Sequence, residues 1–417
     1  MTLRLGSCLA ILSVFCGNAH SQQEPHKRAQ VPVAVSVSQA SNQVVVVLKA
    51  GTDPYLYAWG QGLEFVSSFQ SVPNAYVLRA ESPSVAVALR PSGRAMAIYP
   101  NPIVRRTKHG FTPNDPYYPD QSPTADWPGQ WYLRNTAVNG INMNGPWSQD
   151  LTGSGIIVGI IDDGFAMSHP DLAGGFSGSN SYDFGQNDSN PSPVFEDDVH
   201  GTAVAGILGA RGANQVGITG AAPRASMAGL RCDMFAGAAS SFADATLYHS
   251  SGANTNIKIK VHSYGVNDTF VDQSLESDAL ATSTAAGTIH IFSAGNERGA
   301  VAEDCAKQML QGSPNALVVA GLSKTGVFSD YSSFGSNVFC TAPSGSTLDS
   351  PVVTTDREGN SAGYNGSLEF PDSDYTIQLT GTSAAAPLVA AVAAVAKQSQ
   401  PALNTRFLKH LIARPKP

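Results

Sequence analysis

Residues Ile156-Ile157-Val158-Gly159-Ile160-Ile161 are apolar or glycine at six consecutive positions and run into Asp162-Asp163-Gly164. A strand with no polar alternate position must be covered on both faces, which is the pattern of a parallel sheet between layers of helices. A carboxylate at the C-terminal end of such a strand faces the crevice where open α/β folds bind ligands. Two later segments carry chemistry of the same kind. In Asp197-Asp198-Val199-His200-Gly201-Thr202-Ala203-Val204-Ala205-Gly206-Ile207-Leu208 an imidazole opens a helix of small and apolar residues. In Gly381-Thr382-Ser383-Ala384-Ala385-Ala386-Pro387-Leu388-Val389-Ala390 a hydroxyl stands at the mouth of an Ala/Val-rich helix, among oriented backbone N–H groups and unshielded by large neighbours.

Singly, each residue has an ordinary structural reading: Asp162 as a helix cap, His200 as a satisfied core histidine, Ser383 as an N-cap. Their order, Asp, His, Ser, joins them into a nucleophilic set in which Asp162 orients His200 and His200 takes the proton of Ser383. A fourth segment, Ile291-Phe292-Ser293-Ala294-Gly295-Asn296-Glu297, runs from a strand into a turn and offers the Asn296 amide to a developing oxyanion, although a plain turn residue would also suit that position. An α/β-hydrolase is disfavoured, because Ser383 lacks a Gly-x-Ser-x-Gly elbow and the chain order is wrong for that fold.

With these motifs the chain resembles the subtilisin-like serine peptidases, and within them the kexin and proprotein-convertase branch. The matching runs are Asp162-Asp163-Gly164, Ser168-His169-Pro170-Asp171-Leu172, His200-Gly201-Thr202, Ser293-Ala294-Gly295-Asn296 and Gly381 to Pro387, and the branch is suggested by Gln130-Trp131-Tyr132-Leu133, Ser181-Tyr182-Asp183-Phe184 and Val353-Thr354-Thr355-Asp356. The resemblance covers roughly residues 113 to 410. It implies an α/β fold: a three-layer subtilisin-like domain with a mostly parallel central sheet, preceded by a small α+β propeptide. It also implies a secreted serine endopeptidase cleaving peptide or protein substrates after basic or paired basic residues. The alternatives are a broad-specificity subtilisin-like peptidase and a catalytically inactive binding protein on the same fold.

Met1 to Arg4, Leu5 to Phe15 and Asn18-Ala19-His20-Ser21 give a short basic start, an apolar core and a small-residue exit, so 1–21 reads as a secretion signal too short to span a bilayer. After its removal no membrane association is expected. Between it and the peptidase, residues 22–108 form a separate unit in which Gln30 to Val37, Gln43 to Lys49, Ala75 to Arg79 and Val85 to Arg90 read as strands, while Gly60 to Val66 suits either a short helix or a strand. By resemblance this unit is a propeptide acting as intramolecular inhibitor, released by self-cleavage after Arg105-Arg106-Thr107-Lys108. A Pro-rich linker at 109–129, the catalytic domain at 130–412 and a tail at 413–417 complete the division. Charged residues are only 14% and the formal net charge is −7, with no basic patch, which argues against a nucleic-acid partner. Of the cysteines beyond the signal, Cys305 and Cys340 flank the Ala316 to Leu322 strand in loop-like sequence and are the expected disulfide, leaving Cys232 as a buried thiol. Asn187, Asn267 and Asn365 open glycosylation sequons.

The resemblance also implies calcium at the Gly212 to Gly220 loop. Asn214 would give its side chain, Gly212, Val216 and Ile218 their carbonyls, and Asp171 a carboxylate. Where convertases place a further Asp this chain has Thr124, and Asp115 in a displaced segment is the replacement; a plain Gly/Asn turn is the alternative. Asp163, Asp197, Asp268 and Asp272 lie at or near family positions that receive basic residues before the cut, whereas Gln311 stands about where convertases carry another Asp.

Overall fold

The computed structural model describes residues 41–101, 110–119, 129–134, 139–347, 351–359, 363–364, 370 and 372–414. The chain divides between Thr107 and Lys108 into two compact units. Expectations for the signal segment, Gln30 to Val37, the basic run at 105–108 and Asn365 lie outside the described residues.

In the first unit, β1 (Gln43–Leu48), α1 (Pro54–Gly60), β2 (Glu64–Ser68), β3 (Ala75–Arg79), α2 (Pro83–Ala88) and β4 (Ala95–Pro100) follow a βαββαβ order, and the antiparallel sheet is ordered β2-β3-β1-β4. Val44, Val46 and Leu48 alternate inward on β1 and meet Leu78, Ile98, Ala58 and Ala86 in one core. Of the stretch expected as a strand at Val85 to Arg90, Val85 to Ala88 is instead the end of α2 and Leu89 its C-cap. Ser82 caps that helix by accepting the Val85 N–H at 3.3 Å and Pro83 supplies its first turn, so cap chemistry outweighs the β-branched valines. The open stretch after Gly60 resolves into β2.

The second unit is a three-layer α/β domain. Among its described residues the main sheet has seven strands: β5 (Ile157–Asp162), β6 (Tyr182–Asp183), β7 (Ser226–Arg231), β8 (Ile257–His262), β9 (Ile289–Ser293), β10 (Ala316–Leu322) and β11 (Val338–Pro343). All are parallel, in the order β11-β10-β9-β8-β5-β7-β6. Alternate residues face opposite layers. Val158, Ile160, Val261, Ile291 and Val319 pack with α4 (His200–Gly209) and α7 (Thr382–Ser399). On the other face, Ile161 and Leu230 pack with Ala245 of α5 (Ala239–Leu247), and Phe292 and Val318 with Leu280 of α6 (Ser274–Ala285). From β5 the chain goes to the edge strand β6, back to β7 and then across β5 to β8, so the β5/β8 boundary is the topological switch point. Gly206 lets α4 lie against Thr354 and Thr355 of a short strand, because a Cβ there would run into both hydroxyls.

The expected disulfide is not formed: Cys305, Cys340 and Cys232 are all free. Cys305 sits in a 3-10 turn with its sulfur 3.2 Å from Asn337 Oδ1, while Cys340 is held mid-strand opposite Val319. Cys232 is the buried thiol the sequence suggested. No helix among the described residues is long and apolar enough to cross a membrane.

One buried ion network closes the edge of the sheet. Arg231, at the end of β7, reaches Asp198 at 2.8 Å and Asp183 at 3.2 Å, with all three side chains buried. Asp198 also accepts the Val194 and Phe195 N–H groups at 2.8 and 3.1 Å, so the network shapes the turn that delivers His200. Removing the guanidinium leaves two buried carboxylates uncompensated. Arg231→Ala is therefore expected to cost about 3–5 kcal/mol, measured as a fall in the denaturant midpoint with little change in slope.

Candidate active site

Asp162 ends β5 and His200 begins α4, and the two meet directly: His200 Nδ1 lies 2.8 Å from Asp162 Oδ1. The adjacent Asp163 grips the helix itself, its Oδ2 accepting the His200 N–H at 2.9 Å and its Oδ1 the Gly201 N–H at 2.7 Å. Neighbouring carboxylates thus divide the work, one on the imidazole and one on the positive end of α4. Gly201 is required here, because a Cβ would sit 2.9 Å from that of Asp162. Burial and the charge of Asp162 push the Asp163 carboxyl up to about 7. Burial alone would lower His200, but the Asp162 carboxylate outweighs it and raises the imidazole to about 9.

Ser383 is the second residue of α7 and is held by Ser263, the residue just past β8. Its hydroxyl donates to the Ser263 carbonyl at 3.1 Å, and the Ser263 hydroxyl donates to the Ser383 carbonyl at 3.2 Å. The second bond has a local cause. The helical partner of that carbonyl would be the N–H four residues on, at Pro387, and proline has none. Asn296 fixes the same helix start, its Oδ1 accepting the Thr382 N–H at 2.8 Å and the Thr382 hydroxyl at 3.1 Å. The amide NH₂ of Asn296 is left to donate elsewhere. It lies 2.7 Å from where a Cβ of Gly381 would be, which keeps that position glycine at φ 112°.

The structure therefore joins Asp162 to His200 and Asn296 to the start of α7. No hydrogen bond links His200 to Ser383, whose hydroxyl points to Ser263 instead. The role of Ser263 was missed in the sequence, where nothing local marks a partner 120 residues away.

Of the carboxylates expected to read basic residues, Asp163 is buried and has both oxygens on α4. Asp197 is exposed. Asp268 and Asp272 are exposed and accept N–H groups from Thr269 and Ser274. Gln311 is buried.

Of the calcium candidates, Asp115, Asp171 and Asn214 meet at the Gly212 to Gly220 loop. Asp115 accepts the Ala213 and Asn214 N–H groups at 3.0 and 3.1 Å. Asp171 accepts Asn214 Nδ2 at 3.0 Å, the Ile218 N–H at 2.7 Å and the Tyr375 hydroxyl at 3.0 Å, while Asn214 Oδ1 accepts the Val216 N–H at 2.9 Å. Gly212 packs so tightly on Thr219 that no Cβ fits. Among the described residues no three His, Cys, Asp or Glu side chains gather as a metal cluster, so a cation here depends on the amide and carbonyls. Two buried carboxylates facing one loop are donors of the kind a hard cation takes, and here their oxygens and Asn214 Oδ1 accept N–H and O–H groups. Burial pushes both upward, Asp171 to about 6.

A doubly covered parallel sheet, with an Asp–His pair and a helix-mounted serine at its switch point, is the architecture of the serine-type endopeptidases of subtilisin-like fold. The chain belongs to the Subtilase family, whose model matches residues 153–416. It is similar to proprotein convertase subtilisin/kexin type 4 of Mus musculus, 30% identical over 74% of this chain and 45% of the relative. It is likewise similar to furin of Homo sapiens, at 30% over 74% and 37%, and to the Aeromonas extracellular serine protease of Aeromonas sobria, at 31% over 71% and 55%. The chain thus spans about half or less of the length of these relatives. The crystal structure of the Aeromonas sobria serine protease superposes with a TM-score of 0.62 at 29% identity, covering 74% of this chain and 61% of that one.

For His200 to act as a general base it must be neutral, so kcat/KM would rise with pH through a His200 transition near 9, displaced above an ordinary imidazole. The Asp162→Asn variant should move that limb to lower pH and reduce the plateau rate about 10⁴-fold. A pH–rate profile of both proteins checks it.

Proposed function

We propose that this chain is a secreted serine endopeptidase working by acyl transfer, with Ser383 as nucleophile, His200 as general base and Asp162 holding the imidazolium. The observation that carries the reading is the 2.8 Å Asp162–His200 contact at the switch point. For attack, the Ser383 hydroxyl turns from the Ser263 carbonyl to His200 Nε2. Asn296 and the Ser383 N–H then donate to the oxyanion, the free NH₂ of Asn296 being suited to that task. His200 returns its proton to the leaving amine, and water hydrolyses the acyl-enzyme by the same path. Of the stretch Val261 to Gly265 that the sequence offers to an extended substrate backbone, Val261 and His262 are already paired on both sides with β5 and β9, so Ser263 to Gly265 is the part left for it.

Residues 1–21 direct export, a reading supported by the extracellular designation of the Aeromonas relative. Residues 22–108 act as a propeptide that occupies the enzyme until cleavage near Lys108; the compact βαββαβ unit is of the size and independence that role needs. A crystal structure of the Aeromonas sobria protease contains a separate chaperone. Cleavage after basic residues is supported by the similarity to furin and by the exposed Asp197 and Asp268. Broader specificity is the second reading, favoured by the engagement of Asp163 with α4 and the neutral Gln311.

Wild type and Ser383→Ala, compared on a mixed peptide library, test the core of this. Wild type should cleave with Lys or Arg enriched before the cut, and the variant should lose essentially all turnover. N-terminal sequencing should find wild type starting near His109 and the variant retaining the preceding unit. Enrichment of no basic residue would leave the broad peptidase standing, whereas full turnover by Ser383→Ala would remove the mechanism.

Calcium would be held by Asp115, Asp171 and the Asn214 side chain with the carbonyls of Gly212, Val216 and Ile218, and when bound it supplies countercharge that braces the loop. Chelation should lower Tm and added calcium restore it by mass action. Asp171→Ala should abolish the difference in thermal melts with and without calcium.

A further inference from the structure

On the α5/α6 face of the sheet runs a line of polar groups that the acyl-transfer chemistry does not use. The Tyr264 hydroxyl is 2.9 Å from His262 Nδ1, His262 Nε2 is 2.9 Å from His290 Nδ1, and His290 Nε2 is 2.8 Å from Ser283 Oγ. Ser283 then donates to Ser250 Oγ at 2.8 Å, and Lys260 Nζ reaches the same oxygen at 3.1 Å. His262 is 1% exposed, and His290, Ser283, Ser250 and Lys260 are fully buried.

The proton positions follow from donor capacity. Four acceptors surround Lys260 Nζ, the Ala245, Thr246 and Tyr248 carbonyls and Ser250 Oγ, one more than the three hydrogens of an ammonium can serve, so the direction of the chain is set at Ser250. The Ser250 proton goes to the Thr246 or Leu247 carbonyl, so its oxygen accepts from Ser283. With its own proton spent, Ser283 accepts from His290, which must carry hydrogen on Nε2. The other nitrogen of a neutral imidazole is an acceptor, and it is filled by His262 Nε2–H. The same step makes Tyr264 a donor to His262. Burial holds both imidazoles well below the ordinary histidine range, hence neutral. The His262 ring is further fixed by stacking on Phe292, centroids 4.0 Å apart and planes at 8°.

We propose that His262 and His290 are positioning residues: the one-way chain from Tyr264 to Ser250 pins the end of β8 so that Ser263 holds Ser383 ready for attack. Successive side chains of an extended segment point to opposite faces. His262 and Tyr264 therefore project into the chain on one side, while Ser263 between them meets Ser383 on the other. A peptide pinned on both sides cannot rotate, and both bonds of Ser263 to Ser383 depend on its orientation. The proposal rests on Ser383 being the nucleophile.

His262→Gln and His262→Leu separate the chain from mere packing. A glutamine amide offers an acceptor and a donor at nearly the imidazole spacing, whereas leucine offers neither. We expect His262→Leu to lower kcat ~10- to 100-fold with KM changed less than about twofold, and His262→Gln to stay within about threefold of wild type. Long-range ¹H–¹⁵N NMR on the Ser383→Ala protein should show both histidines as Nε2–H tautomers. The proposal is overturned if leucine leaves kcat unchanged, if glutamine is as damaging as leucine, or if either histidine carries hydrogen on Nδ1. Should the leucine variant not fold, the glutamine variant and the tautomers decide. Turnover retained by Ser383→Ala would instead remove the nucleophile assignment, and the tautomer readout would stand apart from it.

Discussion

The contact on which the rest depends is the grip of two successive carboxylates on one helix start. Asp162 takes the ring of His200 and Asp163 takes the N–H groups of His200 and Gly201. Burial first, and then the like charge of Asp162 beside it, raises the Asp163 carboxyl. The arrangement persists because the positive end of α4 and the imidazole absorb that repulsion. Position and charge are set together: a shift of α4 that broke the ring contact would also strip Asp163 of its donors.

Across the switch point Ser383 is held differently. Its helix begins without the regular bond to Pro387, and a neighbouring strand end supplies the missing donor through Ser263. The His200 side is organised by charge, whereas the Ser383 side is organised by neutral hydrogen bonds reaching through Ser263 towards the sheet interior. The calcium-loop candidates form a third cluster, where Asp171 and Asp115 gather the loop that leaves the far end of α4.

Much of this was legible in the chain because the relevant signals are local. The unbroken apolar run of β5 requires cover on both faces, and small residues after His200 and Ser383 mark helices packed too closely for larger side chains. The failures are equally physical. At Val85 the β-branched residues suggested a strand, while Ser82 and Pro83 already carried the stronger helix-start signal. The expected disulfide assumed that loop-like flanks bring thiols together, yet Cys340 is fixed by strand pairing and Cys305 by Asn337. The engagement of Asp163 with α4 is likewise hidden in the sequence, which shows a carboxylate's charge but not the donors that use its oxygens. Ser263 gave no such signal, since its partner Ser383 lies 120 residues on, and the pairing of His262 with His290 likewise spans 28 residues.

Helix α7 also reaches the other end of β5. Gln398 accepts the Thr152 and Gly153 N–H groups at 2.8 Å each and donates to the Asp150 carbonyl at 3.1 Å, just before that strand begins. The helix is therefore a ruler, roughly 22 Å long from Ser383 to Gln398 at 1.5 Å per residue. Deleting one residue between those marks would turn the serine by about 100° relative to the glutamine and shorten the span by a residue's rise. Its length is quantised by two unrelated demands, the entry of the strand that carries the aspartate and the azimuth of the hydroxyl. Insertions and deletions that exposed loops absorb have no tolerated counterpart here.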